Sequence, residues 1–413
     1  MNGSCVPRVP AVLRESARAF CALTLVLAIA GLSACATGET QRTTQNAPPP
    51  LPPRNEQPNY FRLPGMAADH TPLRIALLLP LSSSSPETRA VANALEQAAE
   101  MAVFDAGNPD VLLMPRDDAG TTSGAAAAAT SAIAEGAEII LGPLFAQSVS
   151  VVGPIARAQG VPVVAFSSDR SVGGQGVYLL SFQPEDEVKR IVTYAAHHGH
   201  TAFAALVPQT PYGEKASGAF REAVTASGAR MTSLTSFSPK PEDVGPPVAA
   251  VAATHPDAIL IAQGGVVLRS IAPTLALDGA SNRTVKFLGT GLWDDTSIMR
   301  EPMLAGGWFA APSLIGERNF ADKYKSVYGA SPPRIASLGY DAVSLVALLS
   351  KGKPYQRFSQ AVLTDANGFA GVDGIFRFHA DGSAERGLAI MEVQPSGFVV
   401  VAPAPTTFQA SGS

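Results

Sequence analysis

Ile75-Ala76-Leu77-Leu78-Leu79-Pro80-Leu81 runs directly into Ser82-Ser83-Ser84-Ser85-Pro86-Glu87. The first five residues form a continuous apolar run of strand length, the pattern of a strand covered on both faces. The second stretch opens a helix. Ser85 is placed to cap it, Pro86 suits the first helical position, and Glu87 complements the positive end of the helix dipole. Val91, Leu95, Ala98 and Ala102 keep helical spacing, Met101 less regularly, and Gly107-Asn108-Pro109 stops the helix. A buried strand feeding straight into a helix is the building unit of a parallel sheet.

The unit repeats. Strand patterns cover 111–114, 139–141 and 161–166, and helical patterns cover 124–135, closed by Gly136, and 147–158, closed by Gly160. Such alternation demands parallel pairing with right-handed crossovers, hence a doubly wound α/β lobe. A second series follows, with helices over 185–197, 213–227, 244–254 and 266–277 and strands over 202–207, 231–237, 258–261 and 286–288. After Trp308-Phe309-Ala310 come helices around 319–328 and 337–349. The end changes character. Asp381-Gly382 and Ser396-Gly397 punctuate apolar runs at 374–378, 388–393 and 398–401, so an antiparallel meander is expected there.

Upstream of the folded region, Arg8, Arg14 and Arg18 precede a short apolar run over 20–32 that ends at Leu32-Ser33-Ala34-Cys35. This is the layout of a secretory signal, and the run falls short of the roughly 20 apolar residues of a membrane span. Leu32-Ser33-Ala34-Cys35 resembles the bacterial lipobox. The resemblance implies that 1–34 are removed and that Cys35 carries lipid, anchoring the chain to a membrane at about 0.8 kcal/mol per buried methylene. Ala36 stands where Asp would favour the inner membrane, which implies the outer membrane, facing the periplasm. Cys5, Cys21 and Cys35 are the only cysteines. After processing no thiol is left for a disulfide, a nucleophile or a zinc ligand. Residues 35–73, with Ala47-Pro48-Pro49-Pro50-Leu51-Pro52-Pro53, are too polar and proline-rich to offset ordering entropy and read as a lipidated, disordered tether, with a reach of up to about 100 Å.

The 413-residue chain has a formal net charge of −4. No basic patch with interleaved aromatics appears, so nucleic acid is not an expected partner. The nucleophile-elbow and zinc-protease motifs are absent, and Gly173-Gly174-Gln175-Gly176 lacks the Lys-Ser/Thr of a phosphate loop. The expectation is a protein without catalysis, cofactor or metal. His197-His198-Gly199-His200 reads as a helix C-terminus, and Asp117-Asp118 and Asp294-Asp295 read as solvated or capping acids.

Several segments together resemble the type I periplasmic-binding fold, in the order seen in leucine/isoleucine/valine-binding proteins. They are the opening strand, Gly136-Ala137-Glu138-Ile139-Ile140-Leu141-Gly142-Pro143, Gly160-Val161-Pro162-Val163-Val164, Pro211-Tyr212-Gly213, Leu338-Gly339-Tyr340-Asp341-Ala342 and the closing Gly-rich hairpins. The resemblance implies an α/β protein of two Rossmann-like doubly wound lobes, joined by three crossovers near 181–184, 306–312 and 368–374, with C-terminal antiparallel hairpins. Lobe 1 would comprise 74–183 plus 308–368, lobe 2 would comprise 184–307 plus 369–402, and 403–413 would be a disordered tail.

Ligands of open parallel sheets gather beyond the carboxyl ends of the strands. The loops there nominate Ser82, Asp118, Phe145, Ser167 and Ser168 in lobe 1. In lobe 2 they nominate Tyr212, Gln263, Thr290, Trp293 and Asp294. The serines suit a carboxylate or a sugar hydroxyl, and Tyr212 and Trp293 would supply flat walls. In the resembling receptors a hydroxyl-rich loop holds the ligand carboxylate and an acidic residue in a second-lobe loop holds its ammonium. Here Leu144-Phe145-Ala146 and Gly289-Thr290-Gly291 occupy those loops, so the acid position is Gly291. An ammonium buried without a counter-charge costs several kcal/mol, leaving Asp294 or Asp118 as substitutes.

Arg116-Asp117-Asp118-Ala119-Gly120-Thr121 and Leu141-Gly142-Pro143-Leu144-Phe145 resemble lipoproteins known as penicillin-binding protein activators, whose C-terminal domain has this fold. That resemblance implies a non-enzymatic envelope regulator of peptidoglycan synthesis that touches a penicillin-binding protein. The alternative is an amino-acid or other small-solute receptor serving an ABC permease.

Overall fold

The computed structural model describes residues 60–65, 71–312 and 314–408, the side chains of 314 and 315 excepted. The signal segment, the lipidation position Cys35 and most of the tether lie outside the described residues, as do 409–413. Among the described residues no helix is long and apolar enough to cross a membrane.

Lobe 1 is built on a parallel five-stranded sheet in the order β2-β1-β3-β4-β5. Its strands are β1 (Leu73–Leu79), β2 (Val111–Asp117), β3 (Ile139–Leu141), β4 (Val163–Ala165) and β5 (Val177–Leu179). β1 lies at the centre, with Ile75 opposite both Leu113 and Ile139, which is why its run is apolar on both faces. Each fully buried leucine there contributes roughly 1.5–3 kcal/mol. α1 (Pro86–Ala106) begins as its sequence indicates. The Ser85 hydroxyl accepts from the Thr88 N–H at 3.1 Å, and Gly107 closes the helix in the left-handed region. α2 (Thr122–Ala134) and α3 (Ala146–Ala158) cover one face of the sheet. α1 and α9 (Ala336–Leu349) cover the other, with Gly339 allowing close approach where a Cβ would collide with the Leu95 carbonyl. α8 (Leu314–Tyr328) packs outside α1 through Phe320 and Tyr324, and the short α10 (Gln360–Leu363) follows α9.

Lobe 2 is a seven-stranded sheet in the order β15-β14-β10-β9-β8-β6-β7. Its parallel members are β6 (Ala202–Pro208), β7 (Arg230–Phe237), β8 (Ala258–Ile261), β9 (Lys286–Gly289) and β10 (Trp308–Ala311). β14 (Ala389–Gln394) and β15 (Gly397–Ala402) extend it as an antiparallel hairpin. α4 (Pro184–His197) and α5 (Pro211–Ala226) pack on one face; α6 (Gly245–Ala252) and α7 (Gly265–Leu277) pack on the other.

Four features differ from the sequence reading. β10 hydrogen-bonds to β9 and β14, so residues 308–311 belong to lobe 2. The expected meander is divided between the lobes. β11 (Phe369–Gly371), β12 (Gly374–Phe378) and β13 (Ala384–Arg386) form a separate antiparallel sheet whose Phe369, Phe376, Phe378 and Ala384 bury into the lobe 1 core. The third crossing is therefore at 387–388, and Asp381-Gly382 turns β12 into the unanticipated β13. The end of the supposed tether docks: Phe61 exchanges backbone hydrogen bonds of 2.8 and 2.9 Å with Leu113 on the β2 edge. The tail also docks as far as it is described. Ala404 packs against lobe 2, and the Phe408 ring lies 4.5 Å from the Arg377 guanidinium of lobe 1.

Candidate functional site

The lobe 1 loops beyond the strand ends are occupied largely with themselves. The Asp118 carboxylate is fully buried; its Oδ1 accepts from the Gly120 N–H at 2.7 Å and its Oδ2 has no partner. Burial, reinforced by Asp117, pushes its pKa up to about 6. The Phe145 ring packs against Gly120 at the start of α3. Ser82 is exposed, and its N–H donates to Asp117. Ser167 is buried and its hydroxyl accepts from the Asp169 N–H at 3.1 Å, which makes it a turn former. Ser168 reaches across the lobes through its backbone, its carbonyl accepting from the Lys215 ammonium of α5 at 2.7 Å.

In lobe 2 the Tyr212 and Thr290 hydroxyls meet at 2.7 Å, Thr290 fully buried and the Tyr212 pKa pushed up mainly by burial. Gln263 donates to the neighbouring Gly264 carbonyl. Trp293 is not a cleft wall. It is fully buried, its indole N–H donates to the Ile261 carbonyl at 3.1 Å, and it packs against Gly289, Gly307 and Phe309. A large apolar ring two residues beyond a turn carries the same signal whether it lines a cleft or fills a core. The surrounding small residues, Gly289 at the end of β9 and Gly307 just before β10, decide between these outcomes.

The residues that join the lobes are mostly others. Arg334, in the loop before α9 of lobe 1, donates through Nη1 to the Gly291 carbonyl of lobe 2 at 2.8 Å. The Gly291 N–H donates to Glu187 Oε2 in the first turn of α4 at 3.0 Å. A Cβ at Gly291 would collide with both the Arg334 guanidinium and the Glu187 carboxylate, so a side chain there would displace the pair. Arg334 also stacks on Phe182, at 4.5 Å, in the first crossing. Burial alone would lower the Arg334 pKa, but Glu187, Asp373, Asp294 and Glu317 surround it and the net shift is upward. Glu187 is pushed up by burial, against the pull of Arg334. Asp294 of lobe 2 shares a hydrogen bond with Glu317 of α8, and burial followed by the Asp294 charge pushes Glu317 up to about 7. Of the ten nominated residues, the structure thus draws Tyr212, Thr290 and Asp294 into this junction. Arg334 Nε and Nη2 and both side-chain polar atoms of Gln183 are buried there without partners. Nothing local marks Arg334: in Ser331-Pro332-Pro333-Arg334 it reads as a loop cation, and Glu187 reads as an ordinary dipole complement.

A second buried cluster lies within lobe 1. Val372 N–H donates to Asp341 Oδ1 and the Ser337 hydroxyl to Asp373 Oδ2, each at 2.6 Å. Arg386 Nη1 stands 3.9 Å from Asp341 Oδ2, its Nε donates to the Ser181 carbonyl, and its guanidinium also stacks on Phe182. Burial and then Asp373 push Asp341 up to about 7. The histidines of 197–200 do not converge on one point: the His198 and His200 rings pack around Trp308.

The profile of the periplasmic binding proteins matches residues 72–397. The chain belongs to that family. Among solved structures it is similar to a putative branched-chain amino acid ABC transporter protein from Rhodospirillum rubrum, at TM-score 0.72 and 19% identity over 80% of this chain and 100% of that one. It is also similar to an ABC transporter substrate-binding protein from Sphaerobacter thermophilus, at TM-score 0.66 and 18% identity over 81% and 98%. A solute-binding protein from R. palustris in complex with benzoate aligns at TM-score 0.58 and 19% identity over 81% and 97%. At these identities the family likeness is one of fold. An uncharacterized protein from Rickettsia prowazekii is 24% identical over 118 residues, 29% of this chain and 32% of that protein, so the match spans about a third of that relative. Within the family's frame, the place where the resemblance puts a ligand-binding acid is filled by this chain's own Arg334–Glu187 pair around Gly291.

Proposed function

We propose that this protein is a periplasm-facing receptor for a small solute, of the kind that serves an ABC permease, held at the outer membrane through lipid on Cys35. The observation that supports this most is the junction itself. Both lobes contribute polar side chains to it, and donors on Arg334 and Gln183 are buried without partners, a costly arrangement that a bound solute would relieve. Solved structures of this fold include proteins named for leucine binding and for benzoate binding, which sets the first panel to try. A melting series with amino acids and aromatic carboxylates tests the reading: a true ligand raises the midpoint with concentration, and a flat response across the panel refutes it. Lipidation is tested separately, by loss of labelled fatty acid incorporation in Cys35→Ala.

The second reading is a regulator of peptidoglycan synthesis that binds a penicillin-binding protein. The apolar Leu144-Phe145-Ala146 loop and the filled position at Gly291 favour it, because both remove features an amino acid would need. Copurification of a bifunctional penicillin-binding protein with the full chain, retained at high salt, would support it.

A further inference from the structure

A cavity of about 420 Å³ opens on the seam between the lobes, and none of the ten expected cleft residues lines it. One wall is a single face of α4, where Asp186, Lys189, Arg190 and Thr193 follow helical spacing. The opposite wall comes from lobe 1, through the β12–β13 turn and β13, with Leu388 in the connection to β14. Its volume lies in the range of small-molecule sites, which is roughly 300–1,000 Å³.

The charges around it do not balance. Asp186 is already paired with Arg170 at 2.7 Å. Glu385 is paired with Arg377 at 2.7 Å and lies 3.3 Å from His379. The Arg386 guanidinium also lines the cavity, buried between Asp341 at 3.9 Å and the Phe182 ring. That leaves the two cations of α4. Lys189 is exposed and has no hydrogen-bond or ion-pair partner among the described residues. Arg190 is half-buried and spends only its Nε, on the Leu388 carbonyl at 3.1 Å. Its two terminal amino groups have no partner among the described residues. Burial depresses its pKa with no carboxylate to counter it. A planar guanidinium with a free edge beside an ammonium is the arrangement that recognises a carboxylate or phosphate in two-pronged fashion.

We propose that this seam cavity binds a small molecule bearing an oxyanion group, carboxylate or phosphate, held by the free edge of Arg190 with Lys189 beside it. Because α4 belongs to lobe 2 and the facing turn to lobe 1, an occupant would tie the lobes together outside the cleft. The proposal does not depend on what, if anything, fills the cleft.

The test uses the full chain and two probes, inorganic phosphate and succinate, followed by calorimetric titration and by melting midpoint. Binding of at least one is expected; which one binds identifies the oxyanion. Arg190→Gln should weaken it by about tenfold or more, the scale of a charge-assisted hydrogen bond. The exposed Lys189→Gln, which carries no folding risk, should weaken it less and flatten its dependence on sodium chloride. Tyr212→Phe, in the cleft, should leave it unchanged. The proposal is overturned if neither probe binds, if Lys189→Gln and Arg190→Gln bind as the parent does, or if Tyr212→Phe abolishes the signal.

Discussion

The two buried charge clusters use the same chemistry to different ends. Around Asp341, Asp373 and Arg386 every member comes from lobe 1, and the cluster pins the three-stranded sheet to α9. Around Arg334 the members alternate between lobes, with Arg334, Glu317 and Asp373 on one side and Glu187, Gly291 and Asp294 on the other. Opening the cleft leaves the first cluster intact and breaks the second. A buried ion pair is a poor source of net stability but an effective way to single out one arrangement. The first cluster therefore specifies a lobe, whereas the second specifies a relation between lobes, which the chain establishes with its own guanidinium.

Removing the cation from each cluster separates these roles. Arg386→Ala removes the cation beside the buried Asp341 and should cost about 3–5 kcal/mol in a denaturant titration. A loss near zero would mean that the Asp341 carboxyl is already neutral in the folded state. Arg334→Ala should cost less, about 1–3 kcal/mol, while enlarging the radius of gyration in solution scattering as the lobes part. If the radius stays the same, the clusters do not differ as described.

A pH titration sharpens the contrast. Glu317 rises from its ordinary 4.5 to about 7 on folding, so between those values the native state holds more protons than the unfolded one. Stability is then fully present below about 4.5 and falls as pH climbs toward 7. Glu317→Gln should flatten part of that slope, and the remainder belongs to the other carboxyls that burial shifts in the same direction, Asp341, Asp118 and Glu187 among them. A slope unchanged in Glu317→Gln would remove the interlobe carboxyl pair from the account. The smallest effect is expected from Phe408→Ala. It deletes the ring stacked on Arg377 and should cost about 0.5–1 kcal/mol, visible as a small shift in the denaturation midpoint.

Much of the architecture was legible because its signals are local. The apolar run at 75–79, the Ser85 cap and the stop at Gly107 each act within a few residues, and so could be read without knowing the neighbours. The strand β5 is not legible in sequence because three residues beside Gly176 carry no period. In sequence Trp293 reads as a wall, because its packing against Gly289, Gly307 and Phe309 exists only in the fold. Asp294 stands out in sequence only by its place after β9, and the groups that give it meaning, Glu317 and Arg334, lie on other elements.

The chain's own residues, taken in order, determined that there are strand–helix units, how each begins and ends, and that two series of them follow one another. Short-range periodicity and capping depend only on neighbouring residues. Which sheet receives β10, where β11 to β13 dock, and which cation meets Gly291 were decided by the tertiary structure alone. Hydrogen bonds between strands and the burial of a charge depend on groups that become neighbours only after the chain has folded.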